Sequence, residues 1–151
     1  MSGLGRLARV AAAKLIANQT PATFPTNSFA GLTTASPDDD GQGGTEPTIG
    51  TNGYARASIT WTAVATPAVD GNVVLTNSNA LTFTSTGGGF STGATPLTHV
   101  PVYTGSTLRT EATYVGYGPL TPSQAVNAAG VTITIPIGSL QITIGQANTT
   151  D

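Results

Sequence analysis

The segment VTITIPIGSLQITI, residues 131–144, decides the fold class because its apolar and polar residues alternate. Alternation with a period of two is typical of a β-strand with one buried face. The phase slips by one residue at Gly138 and Ser139, which a two-residue hairpin turn would explain. A continuous strand with a bulge is the competing explanation. The hairpin would bring six apolar side chains to one sheet face, as the pairs Ile137 with Leu140, Ile135 with Ile142, and Ile133 with Ile144.

The composition of the whole chain favours the same fold class. Charged residues make up 8% of the chain and hydrophobic residues 38%, against typical values of about 25% and about 45–50%. Thr is the commonest residue, and its β-branched side chain favours strands. The 19 Gly and 10 Pro supply many turns. Disordered chains usually carry high charge, so these values predict a folded β-rich domain with a polar, nearly uncharged surface.

Further segments along the chain have the β-branched and aromatic content of short strands. Segments 73–75 and 80–83 form either a strand pair or one interrupted strand. Pro101 lacks an N–H group, so its strand should lie at a sheet edge or contain a bulge. We therefore predict an all-β fold, a β-sandwich or small barrel of about seven or eight antiparallel strands. The predicted strand segments outside 131–144 are 27–34, 54–61, 73–75, 80–83, 97–103 and 111–117.

Residues 1–20 are predicted to form a short N-terminal helix or arm. Their apolar residues recur at spacings of three and four, as on one stripe of a helix. Asn18 and Pro21 supply stop signals after it. The β-sandwich domain is expected over residues 21–145, followed by a polar tail over residues 146–151.

The basic residues of the N-terminal helix, Arg6, Arg9 and Lys14, are candidate interface residues. The helix either packs its apolar stripe on the sheet or serves as a basic docking arm for an acidic partner. Three charges make a poor nucleic-acid footprint, so we expect no nucleic-acid partner. We also expect no membrane association, because no apolar run approaches the roughly 20 residues that span a bilayer.

Residues with catalytic or metal-binding chemistry are few. The chain has no cysteine, which excludes disulfides and thiolate metal sites. Its single histidine, His99, lies in a predicted strand, where a lone histidine is more often a surface or interface residue than a catalytic base. The run of Asp38, Asp39 and Asp40 lacks the alternating ligand spacing of a calcium loop, so we predict a solvated loop there. The expectation is a protein that is not an enzyme and holds no cofactor or metal.

Aromatic residues give a second set of candidate interface residues, Tyr103, Tyr114 and Tyr117. Tyrosine rings on a shallow surface bind sugars or protein partners, because they combine a large apolar area with a polar tip. The alternative is that these residues lie on a sheet face or at its rim and only support the fold.

The ordered string of segments resembles a family of small tailed-phage virion proteins, often labelled phage tail fibre or minor structural proteins. The resemblance implies a β-sandwich virion component without catalytic residues. The chain departs from the family pattern at residues 104–113, where a Gly-Gly turn after an Asp-Ala pair is absent. The matching pieces, after the N-terminal helix, are GLTTASP (31–37), GYAR (53–56), ITW (59–61), NSNALTF (77–83), THV (98–100), YGPLT (117–121) and IPIGSLQITI (135–144).

The functional prediction is a non-enzymatic structural protein of a tailed-phage virion. A compact domain without coiled-coil heptads or collagen-like triplets favours a capsid decoration or cement subunit on the outside of the shell. The alternative is a tail fibre or minor tail protein, or a module that binds a host surface or glycan. The expected partners are other virion proteins, either the major capsid protein or tail proteins. Further copies of this chain are also expected as partners, with a trimer as the expected oligomer. The expected location is the virion, assembled in the host cytoplasm.

Overall fold

The structure is a computed structural model, and it describes residues 27–62, 73–90, 95–110 and 112–144. All regular structure in these ranges is β, which confirms the predicted fold class. The predicted helix over residues 1–20 and the predicted tail over residues 146–151 lie outside the described residues. The strands are β1 Ser28–Ala30, β2 Ala57–Ile59, β3 Val73–Thr76, β4 Leu81–Thr84, β5 Leu97–Tyr103, β6 Tyr114–Gln124, β7 Thr132–Ile135 and β8 Gln141–Ile144.

Four strands form an antiparallel sheet in the order β2-β1-β5-β6. The strand that contains Pro101, β5, lies between β1 and β6, so the predicted edge position is wrong. The alternative prediction of a bulge is confirmed, because the β5–β6 register shifts between Val102 and Tyr103 and again between Leu97 and His99. An interior strand accommodates the proline because the regular pairing of β1 ends at Ala30, before it reaches Pro101. Beyond that end, the backbone N–H of Gly31 donates a hydrogen bond to the Pro101 carbonyl.

The other four strands form an interrupted antiparallel ribbon, in which β3 pairs with β8 and β4 pairs with β7. The predicted hairpin between residues 131–137 and 140–144 is therefore wrong. The bulge explanation accounts for the phase slip, because the four residues 77–80 face the five residues 136–140 between the two ladders. The extra residue shifts the alternation of buried and exposed side chains by one position in β8, while the chain continues in the same direction. For residues 73–83, the interrupted strand is confirmed and the strand pair is wrong.

The side chain of Asn77 replaces the missing ladder at this interruption. Asn77 is fully buried. Its amide nitrogen donates to the carbonyls of Asn79 and Pro136, at 2.7 and 2.9 Å. Its amide oxygen accepts from the backbone N–H of Leu140 at 2.9 Å. One side chain thus satisfies backbone groups on both strands where the backbone cannot pair with itself.

The sheet and the ribbon enclose one hydrophobic core. They are joined on one side by hydrogen bonds from Thr62 to the carbonyl of Thr76 and from Ser78 to the carbonyl of Thr60. On the other side β6 lies against β8, and no residue of β6 is paired with the ribbon in the described part of the chain. The buried core residues are Ala30, Leu32, Tyr54, Ile59, Leu81, Phe83, Phe90, Leu97, Val100, Val102, Val126, Ile133, Ile135, Leu140 and Ile142.

Candidate interaction surfaces

A buried ion pair lies under the four-stranded sheet. The side chain of Arg56 is 0% exposed. Its Nε and Nη2 donate to the two carboxylate oxygens of Glu46, each at 2.8 Å. Its Nη1 donates to the carbonyls of Gly105 and Leu108, and its guanidinium lies 3.7 Å from the centre of the Tyr103 ring. Because its guanidinium is bound to a carboxylate and two carbonyls and is stacked on a tyrosine ring, Arg56 stabilises the fold.

The same carboxylate organises a buried tyrosine. The hydroxyl of Tyr54 donates to Oε1 of Glu46 at 2.9 Å and accepts from the backbone N–H of Leu32 at 2.8 Å. Burial, followed by the nearby negative charge of Glu46, raises the pKa of Tyr54 well above its usual value. The phenol is therefore neutral at physiological pH and acts as a fixed hydrogen-bonding group.

Arg109 fastens the aspartate-rich loop to the rest of the molecule. Its guanidinium donates to the backbone carbonyls of Gly41, Gly43 and Gly44. Within the loop, Asp38 accepts hydrogen bonds from the backbone of Gly43 and the residue before it. A hydrogen bond with Asp40, and then the one from Gly43, lower the pKa of Asp38. The segment predicted as a solvated loop is thus exposed at its aspartates but hydrogen bonded along its backbone.

Two of the three predicted interface tyrosines lie inside the protein, because this loop covers them. Tyr103 is 0% exposed and Tyr114 is 1% exposed. Their rings pack at 5.8 Å, and the Tyr103 hydroxyl donates to the Gly41 carbonyl. Burial raises the pKa of both tyrosines. Their predicted surface position is corrected to a buried one, and only the half-buried Tyr117 keeps part of its ring at the surface.

His99 lies beside Tyr117 on the four-stranded sheet. The two rings meet edge to face with centres 5.5 Å apart, and the Thr98 hydroxyl lies 2.8 Å from His99 Nδ1. Partial burial lowers the pKa of His99 from its usual value. The hydrogen-bonding partner that the structure shows for the His99 ring is thus the hydroxyl of the preceding threonine.

A groove of about 560 Å³ runs along the open side of the molecule, between β6 and the ribbon. Its walls are residues 118–121 on β6, and residues 134–136 and 139–141 on the ribbon, with Val100 between them. Both walls depart from regular pairing. Residues 120–123 of β6 bulge opposite Thr98, and residues 136–140 contain the extra residue of the ribbon. Two bulged edges leave a gap that neither strand closes.

Large apolar side chains are exposed at three described positions, namely Val74 at 45%, Leu108 at 62% and Ile137 at 65%. Ile137 lies on the interrupted segment of the ribbon, next to the groove residue Pro136. The hairpin prediction had buried Ile137 against Leu140. The extra residue at the interruption instead turns its side chain outward.

The remaining predicted interface residues, Arg6, Arg9 and Lys14, lie outside the described residues. In the described ranges, no group of acidic or histidine residues could hold a metal ion. Those ranges also contain no helix with the length and apolarity needed to cross a bilayer.

The sequence interpretation missed the internal role of Arg56. A signal was present, since Arg56 and Tyr54 are two residues apart in the predicted strand 54–61, and both are buried. A buried arginine needs an acid, and Glu46 is the acidic residue nearest to it in the chain. No local signal marks Arg109, whose loop partners lie more than sixty residues away, or the contacts of Asn77 with Pro136 and Leu140, which lie about sixty residues away.

Comparison with known proteins decides the family. A family model described as "Podophage GP4 fiber I protein gp80" matches residues 6–143. The chain belongs to this family. Membership of the fiber I family confirms the resemblance to tailed-phage virion proteins, and with it the prediction of a virion-associated phage structural protein. No curated protein matches the chain.

Proposed function

We propose that this protein is a non-enzymatic structural subunit of a tailed-phage fibre, which works through contacts with other virion proteins. The observation that carries the proposal is what the two described arginines bind. Arg56 and Arg109 are both bound to groups of the same chain, rather than presented to a ligand. What the described surface offers is a weakly charged, threonine-rich exterior and a groove between two sheet edges. Such a surface is suited to protein packing.

A position in a fibre is supported by the description of the family model, which names a fibre protein. The second candidate is a decoration subunit on the outside of the capsid. It is favoured by the compactness of the domain and by the lack, in the sequence, of the heptads or triplets of long fibres. Both positions need the same chemistry, namely apolar contacts and sheet edges with little electrostatic repulsion between copies.

The proposed partners are a neighbouring virion protein and further copies of this chain, with a trimer as the proposed oligomer. The formal net charge of −2 makes close packing of copies electrostatically cheap. No cofactor forms part of the proposal.

Immunogold electron microscopy of intact particles, with antibodies raised against the purified protein, tests the proposed position. Gold confined to fibres attached to the particle is the expected result. Gold distributed over the shell would replace the fibre position with capsid decoration. Purified particles that carry no label, although infected cells contain the protein, would contradict both. Particles of an unrelated phage serve as the control for non-specific labelling.

A further inference from the structure

We propose that the groove between β6 and the ribbon receives Ile137 of a second copy of this chain. The inference deepens the proposed self-association, on which it rests, by naming the surface through which copies meet. The exposed Ile137 borders the groove, because residues 134–136 and 139–141 line the groove and Ile137 lies between them in the chain. The molecule therefore carries an exposed apolar side chain and a cavity next to each other.

The groove has the chemistry of a self-association site. None of its lining residues is charged. Two lining residues with apolar side chains, Val100 and Leu140, are almost fully buried, and the polar lining residues Thr121, Thr134, Ser139 and Gln141 are uncharged. A groove without charge gives a charged partner no complementary group, whereas an isoleucine loses exposed apolar area by entering it. A second copy supplies that isoleucine without like-charge repulsion at the contact.

The edges of the groove favour insertion of a side chain over addition of a strand. An extended peptide that joins a sheet needs backbone N–H groups along the edge. Proline has none, and prolines occupy Pro119 and Pro122 on β6 and Pro136 on the ribbon. Prolines at sheet edges block strand addition. The groove is thus open to a side chain and unfavourable for a strand.

Sedimentation velocity of the purified full chain over a wide concentration range tests the contact. Ile137→Asp removes the protruding side chain at an exposed position. Thr134→Lys places a charged chain on the groove wall, at a position whose side chain already faces solvent. Each variant is expected to weaken self-association by about ten- to a hundredfold, the factor for losing one buried isoleucine. Leu108→Asp is the matched control, because Leu108 is exposed to nearly the same extent and lies outside the groove.

Mixing the two variants separates a direct contact from a general effect on folding. The introduced aspartate of one copy would then face the introduced lysine of the other, so the mixture is expected to associate more strongly than either variant alone. Far-UV circular dichroism of each variant checks that the fold is retained. A wild-type chain that stays monomeric, an Ile137→Asp variant that associates normally, a Leu108→Asp variant that is equally weakened, or a mixture without recovery would each overturn the inference.

Failure here is distinguishable from failure of the proposed function. If variant and wild-type chains associate equally while gold still marks the fibres, this surface is wrong and the virion role stands. If purified particles carry no label while the groove variants behave as expected, the virion role is wrong and the contact stands.

Discussion

At the scale of the residue, the Arg56–Glu46 pair is costly to break because both ends are enclosed. Glu46→Gln keeps the shape of the side chain but leaves the buried guanidinium without a countercharge. We expect a loss of about 3–5 kcal/mol in the free energy of unfolding, typical of a buried pair that loses one partner. Urea denaturation at pH 7, followed by the fluorescence of Trp61, measures it.

A double variant gives the control for this prediction. Glu46→Gln with Arg56→Met removes the charge that the single variant leaves unpaired. Removing both partners of a buried pair costs less than removing one, so the double variant should be more stable than Glu46→Gln alone. Recovery should be incomplete, since the carbonyls of Gly105 and Leu108 lose their donor. A loss below about 1 kcal/mol in Glu46→Gln would show that the pair contributes little.

The His99 ring makes stability depend on pH in a defined direction. Burial lowers the pKa of His99 in the folded protein below 6.5, so the unfolded chain binds the proton first as the pH falls. Stability should therefore decrease from pH 6.5 down to the folded pKa, with no further contribution from this group below it. His99→Gln should flatten the stability curve between about pH 7 and 5, as measured by urea denaturation across that range.

Asp38 provides an internal comparison, because its ionisation affects stability in a different pH range. Hydrogen bonds lower the pKa of Asp38 below 3.8 in the folded protein. Its contribution is present above pH 3.8 and is lost as the pH falls through the folded pKa. Asp38→Asn should therefore leave the slope between about pH 7 and 5 unchanged. An unchanged slope in His99→Gln would contradict the assignment to the imidazole.

At the scale of the element, the segment 131–144 shows what a sequence pattern determines and what it leaves open. The alternation correctly predicted that Ile133, Ile135, Leu140 and Ile142 are buried. It did not determine the pairing, because a period of two assigns faces and not neighbours. A hairpin and a ribbon with one extra residue bury nearly the same side chains. They differ at Ile137, which the hairpin buries and the ribbon exposes at 65%.

The candidate surface was less predictable, because burial there depends on contacts distant in sequence. The loop that covers Tyr103 and Tyr114 is rich in aspartate and glycine, which locally favours a solvated turn. It lies on the tyrosines because Arg109 binds its carbonyls from a segment more than sixty residues away. The groove likewise depends on which strands lie side by side, which the phase slip at Gly138 and Ser139 did not determine.

The interruption of the ribbon gives a prediction at the same scale. Asn77→Ala leaves the buried N–H of Leu140 without its acceptor, while the Pro136 carbonyl keeps the N–H of Ser139. An unsatisfied buried group costs about 1–3 kcal/mol and each further lost hydrogen bond about 1 kcal/mol, so we expect a total loss of about 3 kcal/mol. Thermal and urea unfolding measure this loss. Ser78→Ala is the control at the neighbouring exposed position, where the hydroxyl makes a solvent-exposed hydrogen bond to the Thr60 carbonyl and its removal should cost about 0.5–1 kcal/mol. Equal losses in both variants would show that the hydrogen bonds of the Asn77 side chain do not stabilise the interruption of the ribbon.

At the scale of the whole molecule, the sheet and the ribbon depend on each other. The sheet and the ribbon each have a short apolar face. Among the described residues, each of these faces is covered only by the other layer. Small isolated sheets are marginally stable in water. The shared core, together with the hydrogen bonds from residues 60–62 to residues 76–78, therefore makes the two layers a single cooperative unit.

Trp61 is placed to test this cooperativity. It pairs with Asn77 where the sheet meets the ribbon, and it packs against the core. If the layers unfold together, urea curves from Trp61 fluorescence and from far-UV circular dichroism should coincide, and the calorimetric and van't Hoff enthalpies should agree. Asn77→Ala should move both curves by the same amount, because destabilising the ribbon then destabilises the sheet. A fluorescence transition at lower urea than the circular dichroism transition would show that the ribbon separates first, and that the common core does not couple the two layers.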